Sequence, residues 1–302
     1  MLSFITWNPD PEIFRIGSLA VRWYGLIYAT GFFVGITILG KMFKHDNAPD
    51  SWVDKVFVYI VLAVIIGARL GHVFFYDWEY YRENIGEIFK IWHGGLASHG
   101  GALMMVVACW LLSKYLTKQS IWWLGDRLFV PSALVACMIR IGNLMNSEIY
   151  GTPTDLPWGF VFLRGQEQFC GTVEAYSPCA APSLCCPSTE WLPCHPTQLY
   201  EAAAYLLLFI LMMWLYWKKD AGCFNGLLSG IGFTGVFMAR QFIEILKNNQ
   251  SAFESNMTFN MGQWLSVPFV ILGILLIIHA LKKGKVTYVL PQEKKPLTKK
   301  KP

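Results

Sequence analysis

Charged side chains are scarce in this sequence: Asp, Glu, Lys and Arg make up 15% of its 302 residues, where soluble domains carry roughly 25%. A soluble single domain is therefore excluded as the first reading, the more so because 54% of the residues are hydrophobic. The shortage of charge and the 16% aromatic content also exclude intrinsic disorder and long exposed coiled coils. No Gly-X-Y period and no repeat of fixed length is visible. A Walker loop, a dinucleotide fingerprint and a His-Glu-x-x-His motif are all absent, which removes the usual sequence signals for nucleotide and metalloprotease chemistry. Ahead of Leu19 there is no basic n-region and no small-residue cleavage site, so residues 1–20 read as a short external stretch and not as a removable signal peptide.

What the chain has in abundance is apolar length. A helix crossing the hydrocarbon core needs about 20 mostly apolar residues, and seven such windows are predicted, at about 21–40, 56–75, 96–113, 124–145, 199–217, 225–246 and 262–281. The fold class expected is an all-α polytopic membrane protein with seven transmembrane helices. Small-xxx-small pairs such as Gly31 with Gly35, Gly67 with Gly71 and Gly226 with Gly230 suit close helix packing. The connections after the first, third, fifth and seventh windows, together with the C-terminus, carry 15 Lys and Arg residues, against six on the opposite side. By the positive-inside rule the C-terminus is cytoplasmic and the N-terminus external. The organisation predicted is a seven-helix domain over 1–284, with an external loop at 147–196, and a Lys-rich tail over 285–302 that lies against anionic lipid. The net charge of +5 reflects that tail and implies no nucleic acid.

Five of the eight cysteines, Cys170, Cys179, Cys185, Cys186 and Cys194, fall in the external loop. In an oxidising exterior they read as two disulfides and one leftover thiol, with the pairing undetermined. A zinc site built from Cys185, Cys186, Cys194 and His195 is the alternative, but its spacing fits no standard ligand pattern. Trp158, Phe160 and Phe162 of this loop either pack a small core, the favoured reading, or hold a peptide.

Ionisable groups inside apolar windows cost about 2.5–3.5 kcal/mol on insertion scales, so each one needs a reason. The second window holds Arg69 and His72, read as structural or interfacial together with His93; His195 is read as a loop anchor. The third window begins Gly94-Gly95-Leu96-Ala97-Ser98-His99-Gly100-Gly101, the fourth ends Arg140-Ile141-Gly142-Asn143-Leu144-Met145-Asn146-Ser147-Glu148, and the sixth contains Arg240 through Glu244. With the expected topology these stretches share one depth, near the external leaflet. On a helix Arg140, Asn143 and Asn146 form one polar arc flanked by Glu148, while Arg240 and Glu244 are neighbours at i and i+4. Two guanidiniums at head-group depth offer planar forks suited to phosphate. A phospholipid head group is the best-matched ligand.

These residues resemble the prolipoprotein diacylglyceryl transferase family of the bacterial inner membrane. The run Arg140 to Glu148 continuing to Gly151 is similar to the family signature, and Gly94 to Gly101 is similar to its Gly-Gly and His-Gly-Gly segment. Further matches are Arg22-Trp23-Tyr24-Gly25-Leu26, His195-Pro196-Thr197-Gln198-Leu199-Tyr200-Glu201, and Arg240 with Glu244, so the likeness runs from about residue 19 to 281. The resemblance implies transfer of the diacylglyceryl group of phosphatidylglycerol to the lipobox cysteine thiol of a prolipoprotein, with release of glycerol phosphate at the periplasmic leaflet. The expected partners are phosphatidylglycerol, the prolipoprotein signal peptide and lipobox, and the bilayer; no cofactor or metal is expected, and a monomer is. His99, Arg140 and Arg240 are the expected catalytic residues. Tyr24, Gly95, Gly100, Asn143, Asn146, Glu148 and Glu244 are expected to bind substrate and hold the arginines. Val236 departs from the family, where many members carry a tyrosine one turn before the arginine, and the five-cysteine loop is not part of the family pattern.

A transporter or channel for an anionic solute or lipid is the alternative, since buried arginines also line such paths. Against it, the polar residues gather near one face and no pair of broken helices occurs in matching halves. A cytidine-nucleotide-dependent phospholipid synthase would need paired aspartates that are absent.

Overall fold

The computed structural model describes residues 4–17, 19–90, 94–165, 191–247, 260–288 and 290. Cys170, Cys179, Cys185, Cys186 and His93 lie outside them, so the expectations for the disulfides and for His93 fall there too. The apolar windows become helices α1 (Trp23–His45), α2 (Ser51–Phe75), α4 (Ser98–Leu111), α5 (Ile121–Met145), α6 (Thr197–Lys219), α7 (Leu227–Ile243) and α8 (Met261–Lys283), with a short α3 (Trp78–Glu83) after α2. Lysines occupy the last turns of α1 (Lys44), α6 (Lys218 and Lys219) and α8 (Lys282 and Lys283). Positive charge there complements the negative end of the helix dipole. A capping box between Asn260 and Gln263 starts α8, satisfying backbone donors that the first turn leaves without partners.

Among the described residues six helices are long and apolar enough to cross a membrane; these are α1, α2, α4 with its continuation through Thr117, α5, α6 and α8. The extension of α4 is a π-helical stretch, Leu112–Thr117, whose Ser113 and Lys114 end the apolar run and make the third window short in sequence. Helix α7 has 17 residues, about 25 Å at 1.5 Å per residue, and a 3-10 turn, Glu244–Leu246, follows it. Large apolar side chains such as Phe33, Leu62, Leu103, Leu207 and Leu275 stand exposed on these helices. In water such a surface would drive association; hydrocarbon covers it at no cost.

The all-α expectation needs correction. Four short strands are present among the described residues: β1 (Ile5–Trp7), β2 (Glu12–Ile16), β3 (Leu19–Arg22) and β4 (Phe160–Phe162). Strands β2 and β3 form an antiparallel hairpin, whereas β1 pairs in parallel with β4, Ile5 opposite Phe160 and Trp7 opposite Phe162. Strand β1 is three residues long and its partner lies more than 150 residues away, so no local pattern announces it.

The chain forms two compact units. The first comprises Met1–Gly35 and Phe129–Gly284. Within it α7 packs along α8 and α6 packs on α7. Leu144, Phe160, Phe162 and Cys194 make a small core, with Trp7, Tyr150 and Leu199 against it. Phe160 and Phe162 thus pack inward as favoured, while Trp158 is exposed and donates its Nε1–H to the Tyr200 hydroxyl at 2.9 Å. Gly226 caps α7 with φ +92°, a left-handed conformation that glycine adopts without strain.

The second unit comprises Ile36–Leu128 and Lys285–Pro302. Its core holds Phe43, Trp52, Val56, Trp123 and Leu124. Arg127 is buried there, with Nε 2.6 Å from Asp46 Oδ2 and the guanidinium stacked over Trp123 at 4.2 Å and over Tyr288 at 5.4 Å. Tyr288 and Leu290 pack on this core, so the start of the expected tail belongs to the folded unit. Helices α2 and α4 meet through glycines. A Cβ on Gly100 would lie 2.2 Å from the Gly67 carbonyl oxygen and 2.8 Å from the Gly71 Cα, an approach only glycine permits. Replacing Gly100 by valine is expected to lower stability by about 1–3 kcal/mol through overpacking. An unchanged melting temperature in detergent would rule this contact out.

Candidate active site

In the first unit α5 ends at Met145, and the chain then turns back sharply, with Ser147 at φ +55° and Ile149 at φ +60°. Glu148 therefore does not sit on the helical arc expected from the sequence. The turn brings it to the same place by another route: its N–H donates to the Asn143 carbonyl at 3.1 Å. Its carboxylate Oε1 accepts from Asn143 Nδ2 at 2.8 Å and from Asn146 Nδ2 at 3.2 Å. Asn143 in turn accepts from Arg140 Nη1 at 3.3 Å. Tyr24, in the first turn of α1, lies against Gly142, where an added Cβ would come within 2.8 Å of the tyrosine ring.

A backbone ladder positions the other half. Gly151 N–H donates to the His195 carbonyl at 2.8 Å, His195 N–H to Thr152 O at 3.0 Å, and Thr152 N–H to Leu246 O at 2.8 Å. Gly151 and Lys247 form an antiparallel bridge. Three separated segments, 151–154, 193–195 and 246–247, are thereby held edge to edge beside the ends of α5, α6 and α7. His195 anchors the loop here as read from the sequence: burial lowers its pKa, favouring the neutral ring, and Nδ1 lies 3.3 Å from the Tyr200 hydroxyl.

Between these elements runs a chain of alternating charges. Arg140 Nε lies 2.9 Å from Glu201 Oε2 of α6; Glu201 Oε1 lies 2.9 Å from Lys247 Nζ; Lys247 Nζ lies 3.3 Å from Glu244 Oε2; and that oxygen lies 3.6 Å from Arg240 Nε. Glu201, Glu244 and Lys247 are 0%, 4% and 7% exposed. The arginine side chains keep 19% and 34% of their surface, Arg140 and Arg240 respectively. The contacts at the two ends are ion pairs lying off hydrogen-bond axes, so Glu201 Oε2 and Arg240 Nε have no hydrogen bond among the described residues. Helix α8 backs the carboxylate: a Cβ on Gly262 would sit 2.7 Å from Glu244 Oε1. The positive end of that helix favours the charge. Tyr205, buried in α6 beside Cys137, Ala202 and Val236, is close enough to Arg140, Glu201 and Arg240 to feel their charges.

Tyr24, Arg140, Asn143, Asn146, Glu148, Arg240 and Glu244 thus all belong to the first unit; Gly95, His99 and Gly100 belong to the second. There Gly95, at φ +73°, is packed against His72 and Arg69, its Cβ position 2.5 Å from the imidazole. His72 pairs with Asp77 at 2.9 Å, and His99 is exposed in the first turn of α4. Neither Glu201 nor Lys247 is among the site residues expected from the sequence. Each carried a signal: Glu201 is a carboxylate in an apolar window, which calls for a partner, and Lys247 follows Glu244 at i+3.

Two part-exposed guanidiniums, each paired with a buried carboxylate, carry the planar donor geometry that suits oxyanions. Residues 11–279 match the family model described as prolipoprotein diacylglyceryl transferase. Among similar proteins, the phosphatidylglycerol–prolipoprotein diacylglyceryl transferase of Porphyromonas gingivalis is 46% identical over 93% of this chain and 96% of its own length. Those so named from Chloroherpeton thalassium and Tolumonas auensis are each 40% identical, over 94% and 92% of this chain and 97% and 98% of their own lengths. A match of this breadth, covering both units and every residue of the charge chain, means that the chain belongs to the prolipoprotein diacylglyceryl transferase family.

Proposed function

We propose that this protein transfers the diacylglyceryl group of phosphatidylglycerol to the lipobox cysteine of prolipoproteins, the first step of lipoprotein maturation. The observation that carries this reading is the pair of arginines on buried carboxylates in a chain of that family. The cysteine Sγ attacks the glyceryl carbon, a thioether forms, the carbon–oxygen bond breaks, and its electron pair leaves on the phosphate as glycerol phosphate. Arg140 and Arg240 bind and neutralise that phosphate, whose negative charge grows as the bond breaks. Asn143, Asn146, Glu148 and Glu244 hold the arginines in place, with Tyr24 as a hydrogen-bond partner for the head group. Gly95 and Gly100 serve the site by allowing close approach around Arg69, His72 and α2. No part of this chemistry calls for a metal or organic cofactor.

His99 is the proposed base for the thiol proton, because histidine is the side chain that most often serves as a general base. Incubating the purified protein with phosphatidylglycerol and a lipobox peptide is expected to add the diacylglyceryl mass to the peptide. Solute flux into liposomes without that product would favour a transporter. Replacing His99 by glutamine is expected to slow transfer by about 10²–10⁴-fold; full turnover at every pH would leave His99 with positioning alone.

The seven-span topology follows from the seven apolar windows, with α7 as the sixth span, and its orientation from the Lys and Arg distribution. In that arrangement the N-terminus and the 147–196 loop are periplasmic, the C-terminus is cytoplasmic, and the protein resides as a monomer in the bacterial inner membrane with its site at the periplasmic leaflet.

A further inference from the structure

We infer that Lys247 is a positioning residue that keeps Arg140 and Arg240 available to the anionic substrate by occupying the carboxylates that would otherwise neutralise them; this rests on the phosphate role proposed for the two arginines. Lys247 is not placed for contact with substrate. It follows the 3-10 turn Glu244–Leu246, its backbone is bridged to Gly151, and its side chain is 4% exposed. The ammonium lies 2.9 Å from Glu201 and 3.3 Å from Glu244, and each of those glutamates is the carboxylate partner of one arginine.

The geometry at Glu244 displays the competition. One oxygen, Oε2, faces Lys247 at 3.3 Å and Arg240 at 3.6 Å, and Arg240 Nε has no hydrogen bond among the described residues. Glu201 divides its two oxygens in the same way, Oε1 to Lys247 and Oε2 to Arg140. Three cations against two carboxylates leave one net positive charge on the chain; without Lys247 the charges cancel. Buried carboxylates are stabilised only when paired and hydrogen-bonded. Deprived of Lys247, each would close on its own arginine, and the guanidinium forks would be filled from inside the protein. A lysine suits this task because its ammonium is a point charge that two carboxylates can share.

Transfer rates for the unmutated protein, Lys247→Arg, Lys247→Met and the double variant Glu201→Gln with Lys247→Met should be measured against the mole fraction of phosphatidylglycerol in nanodiscs, at saturating lipobox peptide. Lys247→Met is expected to raise the half-saturating mole fraction by about tenfold or more while the maximal rate per folded molecule changes by less than about threefold. Lys247→Arg is expected to stay within about threefold of the unmutated protein in both. The double variant, which removes one buried carboxylate together with the cation, restores the net positive charge and is expected to recover half-saturation toward the unmutated value. Should the single variant fail to fold, the double variant decides, since it leaves fewer unpaired buried charges. An unchanged half-saturation in Lys247→Met, or a double variant weakened as much as the single one, overturns the role of Lys247. Lack of transfer by the unmutated protein overturns the reaction itself, and normal transfer by Arg140→Ala and Arg240→Ala overturns their phosphate role; both results are distinct from a failure at Lys247.

Discussion

Replacing Arg140 by alanine is expected to lower transfer to a lipobox peptide by about 10²–10³-fold, the range for losing one donor at a developing charge, and Arg240→Ala is expected to do the same. The two variants should differ in stability. Arg140 is the partner of Glu201, whose side chain is fully buried, so truncation leaves one carboxylate oxygen without its counter-ion and should also lower the melting temperature. Arg240 is more exposed, and Glu244 keeps Lys247 and α8 around it, so Arg240→Ala should lose activity with little loss of stability. Lysine at either position should recover only part of the rate, because an ammonium cannot present a planar fork to a phosphate. Near-normal transfer by both alanine variants, assayed at equal amounts of folded protein, would remove the phosphate role.

The largest expected loss of stability lies elsewhere, at Arg69. Its guanidinium carries five N–H donors, and five main-chain carbonyls receive them: Ile88 at 2.9 Å from Nε, Gly94 and Gly95 at 2.6 and 3.2 Å from Nη1, and Glu87 and Lys90 at 2.5 and 3.3 Å from Nη2. Tyr81 covers the group at 4.9 Å. Residues 87–90 and 94–95 thus gather around one side chain, and just ahead of α4 Ala97 N–H donates to Ala68 O at 2.8 Å. Because His99 lies in the first turn of α4, this arginine also fixes the entry to the proposed base. Arg69→Gln leaves several of these carbonyls without a donor and is expected to cost about 1–3 kcal/mol for each one left buried and unsatisfied. Arg69→Lys should recover little, since three donors cannot reach five acceptors. The checks are the melting temperature in detergent and native-state proteolysis between residues 84 and 97; equal melting and equal protection would show that the carbonyls find other donors.

The spans were legible because the hydrocarbon core imposes a length and a composition that appear in any window of the sequence. Boundaries came within a few residues for α5, α6 and α8, where Lys or polar residues end the apolar run. Helix α4 was harder, because its last turn is π-helical and carries Ser113 and Lys114. The site was legible in part for the same reason: Arg140 and Arg240 stand out against an apolar background. Glu148 was found by an incorrect route. The helical wheel extended α5 past Met145, whereas two left-handed residues turn the chain and bring the carboxylate back.

Local sequence thus determined that this is a polytopic helical membrane protein and which stretches carry its ionisable groups, since hydrophobic length and the cost of burying charge act residue by residue. The tertiary structure decided which charges meet. The β1–β4 pair, the ladder joining 151–154, 193–195 and 246–247, and the chain from Arg140 through Glu201, Lys247 and Glu244 to Arg240 all join residues far apart in sequence. Their partners are chosen by how the helix ends stack, a property of the packed bundle that no single window contains.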